Sequence, residues 1–591
     1  MTSPGDQPLQ TRRGFKPELV LYAVSFGLAL ALRLHALGRW PLLDGEAGLA
    51  WAAWRFARGL PANLRGHSPL LFNLNAVLFY VTNGSDALVR LTSVLFGAFM
   101  VLWPYGLRAR LGRVGALAAS YLIALSPSFT YFSRTADGSI VVAFCALGLW
   151  TVVDGYLRER RPLYVYVAAA LLTLAVLAGP LTYTLLAMLA LLGLWAWVQS
   201  RREHDAERWV ELRRAWQHLC ADGKTVRTAS GLATLLFLGL GIGFVANPAG
   251  LQMTLDQFGQ WLGAWSLLRG APWYLDAQLL LFYETLTLVL GVGWLAVRAA
   301  RRRGADKASQ QDGFTYLLAY WFLFTLAFSI VPGYRPAHSV LLVLLPLCLA
   351  AGGAVEDLSA GWQDGFRDPR FWAAQAASAV LCFAALMQLV LYMGQPASAY
   401  LLRIGALAVL LLSAYAMLWS WKGARASLRA AAFALSGLLL LLTLRSGLQL
   451  NYVRARDPME PMVGLTTSPD VLTLVRDAHS LSSRLAGDPR SLDWQVDADL
   501  QVPLGWYLRD WDQVQFVTRA PPDSAAGALI LRADVTPPAR YLGLRFHVHS
   551  AALVGWPAPD EWLRWWLGYR TAIRPQPVDD VILWVRSQVQ Q

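Results

Sequence analysis

The stretch RWPLLDGEAGLAWAAWRFARG, Arg39–Gly59, follows the first membrane-length apolar run and sets Asp44, Gly45 and Glu46 at the head of a long polar loop, Ala36 to Asp86. Carboxylates just outside a bilayer, on the loop after a first helix, point to chemistry at the membrane surface. Further along, Gly48–Arg58 carries Leu49, Ala52, Ala53 and Phe56 near helical spacing, with Trp51, Trp54, Arg55 and Arg58 around them. This predicts a helix lying in the interface, where aromatic rings rest at headgroup level. Ser68–Val81 is half apolar but interrupted by Asn73 and Asn75, which predicts a second interfacial helix and not a span.

With 56% of 591 residues hydrophobic and only 15% charged, the chain is too apolar for a soluble multidomain enzyme and reads as a polytopic α-helical membrane protein. Runs long enough to cross ~30 Å of hydrocarbon recur about thirteen times. They lie near Leu19–Leu34, Leu88–Leu107, Gly115–Phe132, Ser139–Tyr156, Leu163–Leu177, Leu181–Val198 and Ala229–Ala246. The others lie near Leu279–Val297, Phe314–Val331, Val340–Val355, Trp372–Tyr392, Leu401–Trp421 and Ala430–Leu448. Gly179-Pro180 divides Leu163–Val198 into two helices, because Pro cannot continue the ladder.

Lys and Arg then orient the chain. With a cytoplasmic N-terminus the inside loops are Arg108–Arg113, Leu157–Pro162, Arg201–Arg227, Val297–Lys307 and Trp421–Arg429, all basic, while the opposite loops beyond the first hold few cations. The net charge of +13 is largely this topological signal, and no motif indicates nucleic acid. Met1–Lys16 lacks the apolar core and cleavage site of a signal peptide, so the first span is expected to stay as an anchor in the cytoplasmic membrane. An odd number of spans puts everything after Leu448 outside. Residues 1–448 therefore read as the membrane domain and 449–591 as an exported α/β domain. In the latter a helix is expected over Ser468–Leu485 and strands at Leu492–Val496, Val514–Val517, Ala528–Leu531, Leu542–Val548 and Val581–Val585, with a helix at Pro559–Leu567. Cys145, Cys348 and Cys382 lie in predicted spans and Cys220 in an inside loop, so neither a disulfide nor a cysteine zinc site is expected. No internal repeat, GxGxxG or P-loop pattern occurs.

In order along the chain come a first span, an acidic motif, a His-Ser-Pro-Leu turn (His67–Leu70), Gly-Ser-Asp…Arg-Leu (Gly84–Leu91) and LGRVGALAASYLIALSPSFTYFSR (Leu111–Arg134). This order resembles the GT-C glycosyltransferases, in particular the protein O-mannosyltransferase and lipid A aminoarabinose-transferase branch. WYLRDWDQVQF (Trp506–Phe516) is similar to the tail domain of the flippase-activity-associated glycosylation proteins of archaea and bacteria.

The resemblance implies a transferase that moves a sugar from a polyprenyl-phosphate donor to a lipid, glycan or protein acceptor outside the membrane, with inversion. It implies a first-loop carboxylate as general base. The family motif there reads Asp-Glu; Glu46 matches its second acidic residue and Asp44 is displaced by one position. Asp44 is expected to be the base, swinging on Gly45, with Glu46 as its positioning partner; the alternative is that both merely charge a helix N-terminus. Arg134 and Asp137 match an Arg-x-x-Asp pattern beside the family's active site, which makes Arg134 a candidate for the lipid phosphate and Asp137 its orienting partner. Arg335, where relatives show Glu-Lys-x-Pro-Trp, is a second phosphate candidate. His67, His338 and Arg269 are supporting candidates, with Trp265 and Tyr274. Trp565-Trp566 is followed by Leu567-Gly568-Tyr569 and does not fit the oligosaccharyltransferase signature. No cofactor motif occurs, and a divalent cation is left open. A non-catalytic polyprenyl-lipid-binding or flippase-associated protein is the alternative reading.

Overall fold

The computed structural model describes residues 17–200, 206–265, 272–302, 310–331, 336–360, 368–395, 397–518, 526–535, 541–551, 565–566 and 576–586. Apolar sequence longer than a bilayer is thick forms helices because only a helix satisfies its own backbone in hydrocarbon. Eight helices are long and apolar enough to cross a membrane, and two bent pairs bring the number to ten among the described residues. Three more of the thirteen expected runs fall on helices outside that set: Pro162–Ala178, Leu181–Ser200 and Gly223–Leu236. The first two of these are separate helices, as Gly179-Pro180 predicts.

The bends have local causes. Ser126-Pro127 ends Arg113–Leu125 and starts Pro127–Ser133 at 55°, with the Ser126 hydroxyl accepting from Phe129 N. Leu275–Tyr283 and Thr285–Arg302 meet at 108° around Glu284, whose buried carboxylate accepts from Ser126 Oγ at 2.6 Å and Ser128 N at 2.9 Å. The two breaks are thus pinned to each other.

Of the first-loop elements, α1 is Pro17–Leu34, α2 Asp44–Ala57, α3 Pro69–Val81 and α4 Asp86–Phe99. The sequence reading started the loop helix at Gly48. It starts at Asp44, because Leu43 is extended and its N–H donates to Glu46 Oε2 at 2.9 Å, closing the first turn. Gly45 is an ordinary helical residue and no hinge. The apolar face of α2 is not left to the interface either. Ala47, Leu49, Ala50, Ala53 and Trp54 are buried with Leu71, Phe72 and Phe79 of α3, Met253 and Trp506. Asn73, which looked too polar for a buried helix, donates to the carbonyls of Leu240 and Gly241 where a neighbouring helix unwinds, and accepts from Asn247.

After the last span the chain builds a six-stranded sheet, order β1-β5-β6-β4-β2-β3, from β1 Thr466–Thr467, β2 Trp494–Asp497, β3 Val514–Val517, β4 Ala528–Arg532, β5 Tyr541–Ala551 and β6 Gln576–Arg586. β2 runs parallel to β3 and β4, and the other pairs are antiparallel. The helix Asp470–Ala486 covers one face through Val471, Leu474 and Ala478 against Trp494, Val496, Ile530 and Val548. All five expected strands are present. The helix expected at Pro559–Leu567 lies outside the described residues except for Trp565 and Trp566, which pack on Phe282.

The resemblance at Trp506–Phe516 marks a dock. Trp506 Nε1 and the Tyr507 hydroxyl donate to the two oxygens of Asp86, at 2.8 and 3.0 Å, and Leu42 N donates to the Tyr507 hydroxyl at 2.8 Å. Arg509 lies over the Trp506 ring and bonds the Gly84 carbonyl. Gly84 is required there: its φ is +76°, and a side chain would meet Trp506 and Phe79.

Candidate active site

Asp44 and Glu46 sit at the first and third positions of one helical turn and point different ways. Glu46 is 4% exposed. Its Oε1 accepts from Arg90 Nε (2.9 Å) and Ala136 N (2.7 Å), and its Oε2 from Leu43 N (2.9 Å), Arg90 Nη2 (2.8 Å) and Arg456 Nη2 (3.2 Å). A carboxylate offers about four lone-pair sites, so five donors saturate it. Burial alone would raise its pKa, but the charges and hydrogen bonds of Arg90 and Arg456 hold it below the usual carboxylate range. Glu46 is a charged keystone with no room for a further proton.

Asp44 is the opposite case, with a side chain 41% exposed. Both its oxygens lie 2.9 Å from Nε2 of His549 on β5, and Oδ1 also accepts from the Thr467 hydroxyl at 3.3 Å. Nδ1 of His549 faces Asp579 Oδ2 on β6 at 2.9 Å. The result is a carboxylate–imidazole–carboxylate row joining the first loop to the C-terminal sheet. Residue type alone did not bring His549 and Asp579 to notice. No local signal marks the pair, because a register irregularity lies between His547 and His549 and breaks the two-residue period of the strand.

Arg134 and Asp137 are not partners. The Arg134 guanidinium is directed at the carbonyls of Leu32, Arg33, His35 and Ala36 and stacks on Tyr452, so it closes the C-terminal end of α1. Asp137 instead accepts from Ser139 N and Oγ and faces His338 Nδ1 at 3.3 Å. Burial works against its charge, but His338 and Ser139 bring its pKa down to about 2. Next to it, Gly138 packs directly on the Ala178 carbonyl, a contact that any side chain would block. His67 lies against Gly48, one helical turn past Asp44 on α2, its pKa lowered by burial. Arg335 and Arg269 lie outside the described residues.

His338 also lines a cavity of about 240 Å³ walled by Trp261, Trp265, Phe328, Leu342 and Thr325. The ring planes of Trp261 and Phe328 are stacked, and Trp265 meets Phe328 edge-on. The pieces are linked through Glu46: it holds Ala136, Ala136 precedes Asp137, and Asp137 holds His338 at the cavity. Among the described residues no three His, Cys, Asp or Glu side chains are placed to hold one metal ion.

No family model and no curated protein matches the chain. Among solved structures it is similar to ArnT from Cupriavidus metallidurans in the apo state, with 13% identity over 96% of this chain and 98% of that one and a TM-score of 0.52. It is similar too to the same protein bound to undecaprenyl phosphate, with 14% identity over 96% and 97% and a TM-score of 0.50. A more distant likeness, at 12% identity over 83% of this chain and 63% of the other with a TM-score of 0.43, is to the archaeal oligosaccharyltransferase AglB from Archaeoglobus fulgidus with an inhibitory peptide and a dolichol-phosphate. The two alignments to ArnT, which run the length of both chains, show that this chain shares the ArnT fold, with bent apolar helices and a first loop folded under the C-terminal sheet.

Proposed function

We propose that this chain is an integral membrane glycosyltransferase that moves a sugar from a polyprenyl-phosphate donor to an acceptor outside the cytoplasmic membrane, with residues 449–591 on that same side. The observation that carries the reading is the division of labour in the first loop: Glu46 is saturated and buried, while Asp44 is half-exposed on the same turn. The ArnT likeness, including the form bound to undecaprenyl phosphate, supports the donor class. In this reading an acceptor O–H attacks the sugar C1 from the face opposite the phosphate, the C1–O bond to phosphate breaks with its electron pair, and Asp44 receives the proton. Inversion at C1 follows. The aromatic cavity takes the first isoprene units, and His338, its Nδ1 turned to Asp137, offers Nε2 to the phosphate. Arg134 is left to close α1.

The test is release of undecaprenyl phosphate from labelled undecaprenyl-phosphate hexoses offered with a membrane extract. Asp44→Asn keeps size but takes no proton, and turnover is expected to fall by a factor of roughly 10²–10⁴ while the protein still elutes as a folded species on size exclusion. Donor binding without turnover in the parent protein would support the non-catalytic lipid-binding alternative.

A further inference from the structure

His549 cannot serve both its neighbours as a neutral ring. A neutral imidazole donates from one nitrogen and accepts at the other, whereas here both nitrogens face carboxylates. Asp44 lies at Nε2 and Asp579 at Nδ1, each at 2.9 Å. The arrangement is built by the fold and is no surface accident. The register of β5 on β6 shifts between His547 and His549 and again before Ser550, which sets Asp579 opposite His549. β1 pairs Thr467 with His549 and sends its hydroxyl to the same Asp44 oxygen. His549 is 8% exposed, with its polar bonds satisfied by the two carboxylates.

We propose that His549 is a positioning residue for Asp44, supplied by the C-terminal domain: as an imidazolium clamped between Asp44 and Asp579 it fixes the carboxylate toward the acceptor. The proposal rests on Asp44 as the base. His549 and Thr467 fill Asp44 Oδ1, while Oδ2, which shares only the His549 N–H, keeps a lone pair for the acceptor hydroxyl. The clamp also makes the site depend on pH. Burial would lower the His549 pKa, but Asp44 and Asp579 raise it above the ordinary histidine value. A raised value means the clamp is complete below the ordinary pKa of about 6.5 and is lost as pH rises through the higher folded one. The other charges on the packed elements are engaged elsewhere: Glu46 of α2 with Arg90 and Arg456, and Asp580 of β6 with His547 and Arg545. The helix Asp470–Ala486 on β5 brings Asp470, Arg476, Asp477, His479 and Arg484, none of them bonded to His549 among the described contacts.

Two measurements test this. Diethyl pyrocarbonate modifies the unprotonated ring, so mass spectrometry of His549 labelling against pH reads the clamp without any substrate. Asp44→Asn and Asp579→Asn should each lower the labelling midpoint by about one pH unit or more; midpoints equal to that of the parent would overturn the clamp. The second measurement is turnover of labelled undecaprenyl-phosphate hexose with membrane extract. His549→Gln should lower kcat roughly 10- to 100-fold at unchanged donor KM and lose the alkaline limb of the pH profile, and Asp579→Asn should move that limb to lower pH. Full turnover in His549→Gln with Asp44→Asn inactive would sink the positioning role alone. Full turnover in Asp44→Asn would sink the base assignment and this role with it.

Discussion

Glu46→Gln separates architecture from chemistry in the first loop. The substitution keeps shape but removes the one negative charge between Arg90 and Arg456, which are 2% and 7% exposed. Whichever way the amide is turned, its NH₂ faces donors: two if it replaces Oε1, three if it replaces Oε2. Removing one partner of a buried pair costs about 3–5 kcal/mol, which already contains the lost hydrogen bonds. In a domain of ordinary size that is a fall in melting temperature on the order of 10 °C. The assay is thermal unfolding of detergent-purified protein, followed by tryptophan fluorescence and by retention on size exclusion. Arg456→Gln alone should cost less, because Arg90 keeps two short bonds to Glu46 at 2.9 and 2.8 Å while Arg456 contributes one at 3.2 Å. The double variant should be more stable than the sum of the singles predicts, by about 0.5–3 kcal/mol of coupling. A Glu46→Gln protein that melts with the parent would refute the keystone argument, and strict additivity would refute the pairing with Arg456.

Tyr507→Phe removes a hydroxyl that accepts from Leu42 N and donates to Asp86, leaving a loop N–H and a carboxylate short of a partner; a loss of about 1–3 kcal/mol is expected, with faster protease nicking between the membrane and sheet portions. Arg134→Ala should lower yield and melting temperature while leaving the donor KM unchanged, because its bonds run to the end of α1; a several-fold rise in KM would return it to phosphate binding. Glu460 is buried, and its pKa is pushed up to about 7 by burial, with Tyr283 Oη as its hydrogen-bond partner. The folded state therefore holds the Glu460 proton more tightly than the unfolded chain, so the group costs nothing below its ordinary pKa and becomes a burden as pH rises through 7. Glu460→Gln should match the parent near pH 4 and be more stable near pH 8, by on the order of 2–3 kcal/mol.

What was legible in the sequence was whatever a single segment determines. Span positions follow from the run lengths, the break at Gly179-Pro180 from proline chemistry, and the strands from alternation against turn residues. Asp137 and His338 were each noticed for their residue types, though not as a pair, since 201 residues separate them. What failed depended on partners. The start of α2 moved to Asp44 because Glu46 closes the turn with Leu43, and the aromatic face of α2 is covered by Trp506 and α3 instead of by headgroups. Arg134 matches the Arg-x-x-Asp pattern beside the resembling family's active site, yet four carbonyls at the end of α1 take its guanidinium. The side-chain pairing that matters most, His549 with Asp44, spans 505 residues, and no local pattern carries information over that distance.

That pairing also gives a physical account of the altered acidic motif. On a helix each residue turns about 100°, so Asp44 and Glu46 diverge by roughly 200°, which is why one reaches Arg90 in the bundle and the other reaches β5. A carboxylate at position 45, where the resembling family has its Asp, would stand about 100° from Asp44 and could not face the same imidazole. The displacement by one residue and the presence of His549 therefore belong together: Gly45 is exposed and a side chain there would meet nothing, whereas position 44 faces the sheet, and the sheet supplies the cation that holds the acid. The gain is that the first loop and the C-terminal domain form one site, docked independently by Asp86 with Trp506 and Tyr507. If the two features were unrelated, an exposed Asp would have no reason to meet a buried ring with both oxygens equidistant from one nitrogen, backed by a second carboxylate that a strand irregularity delivers to the other.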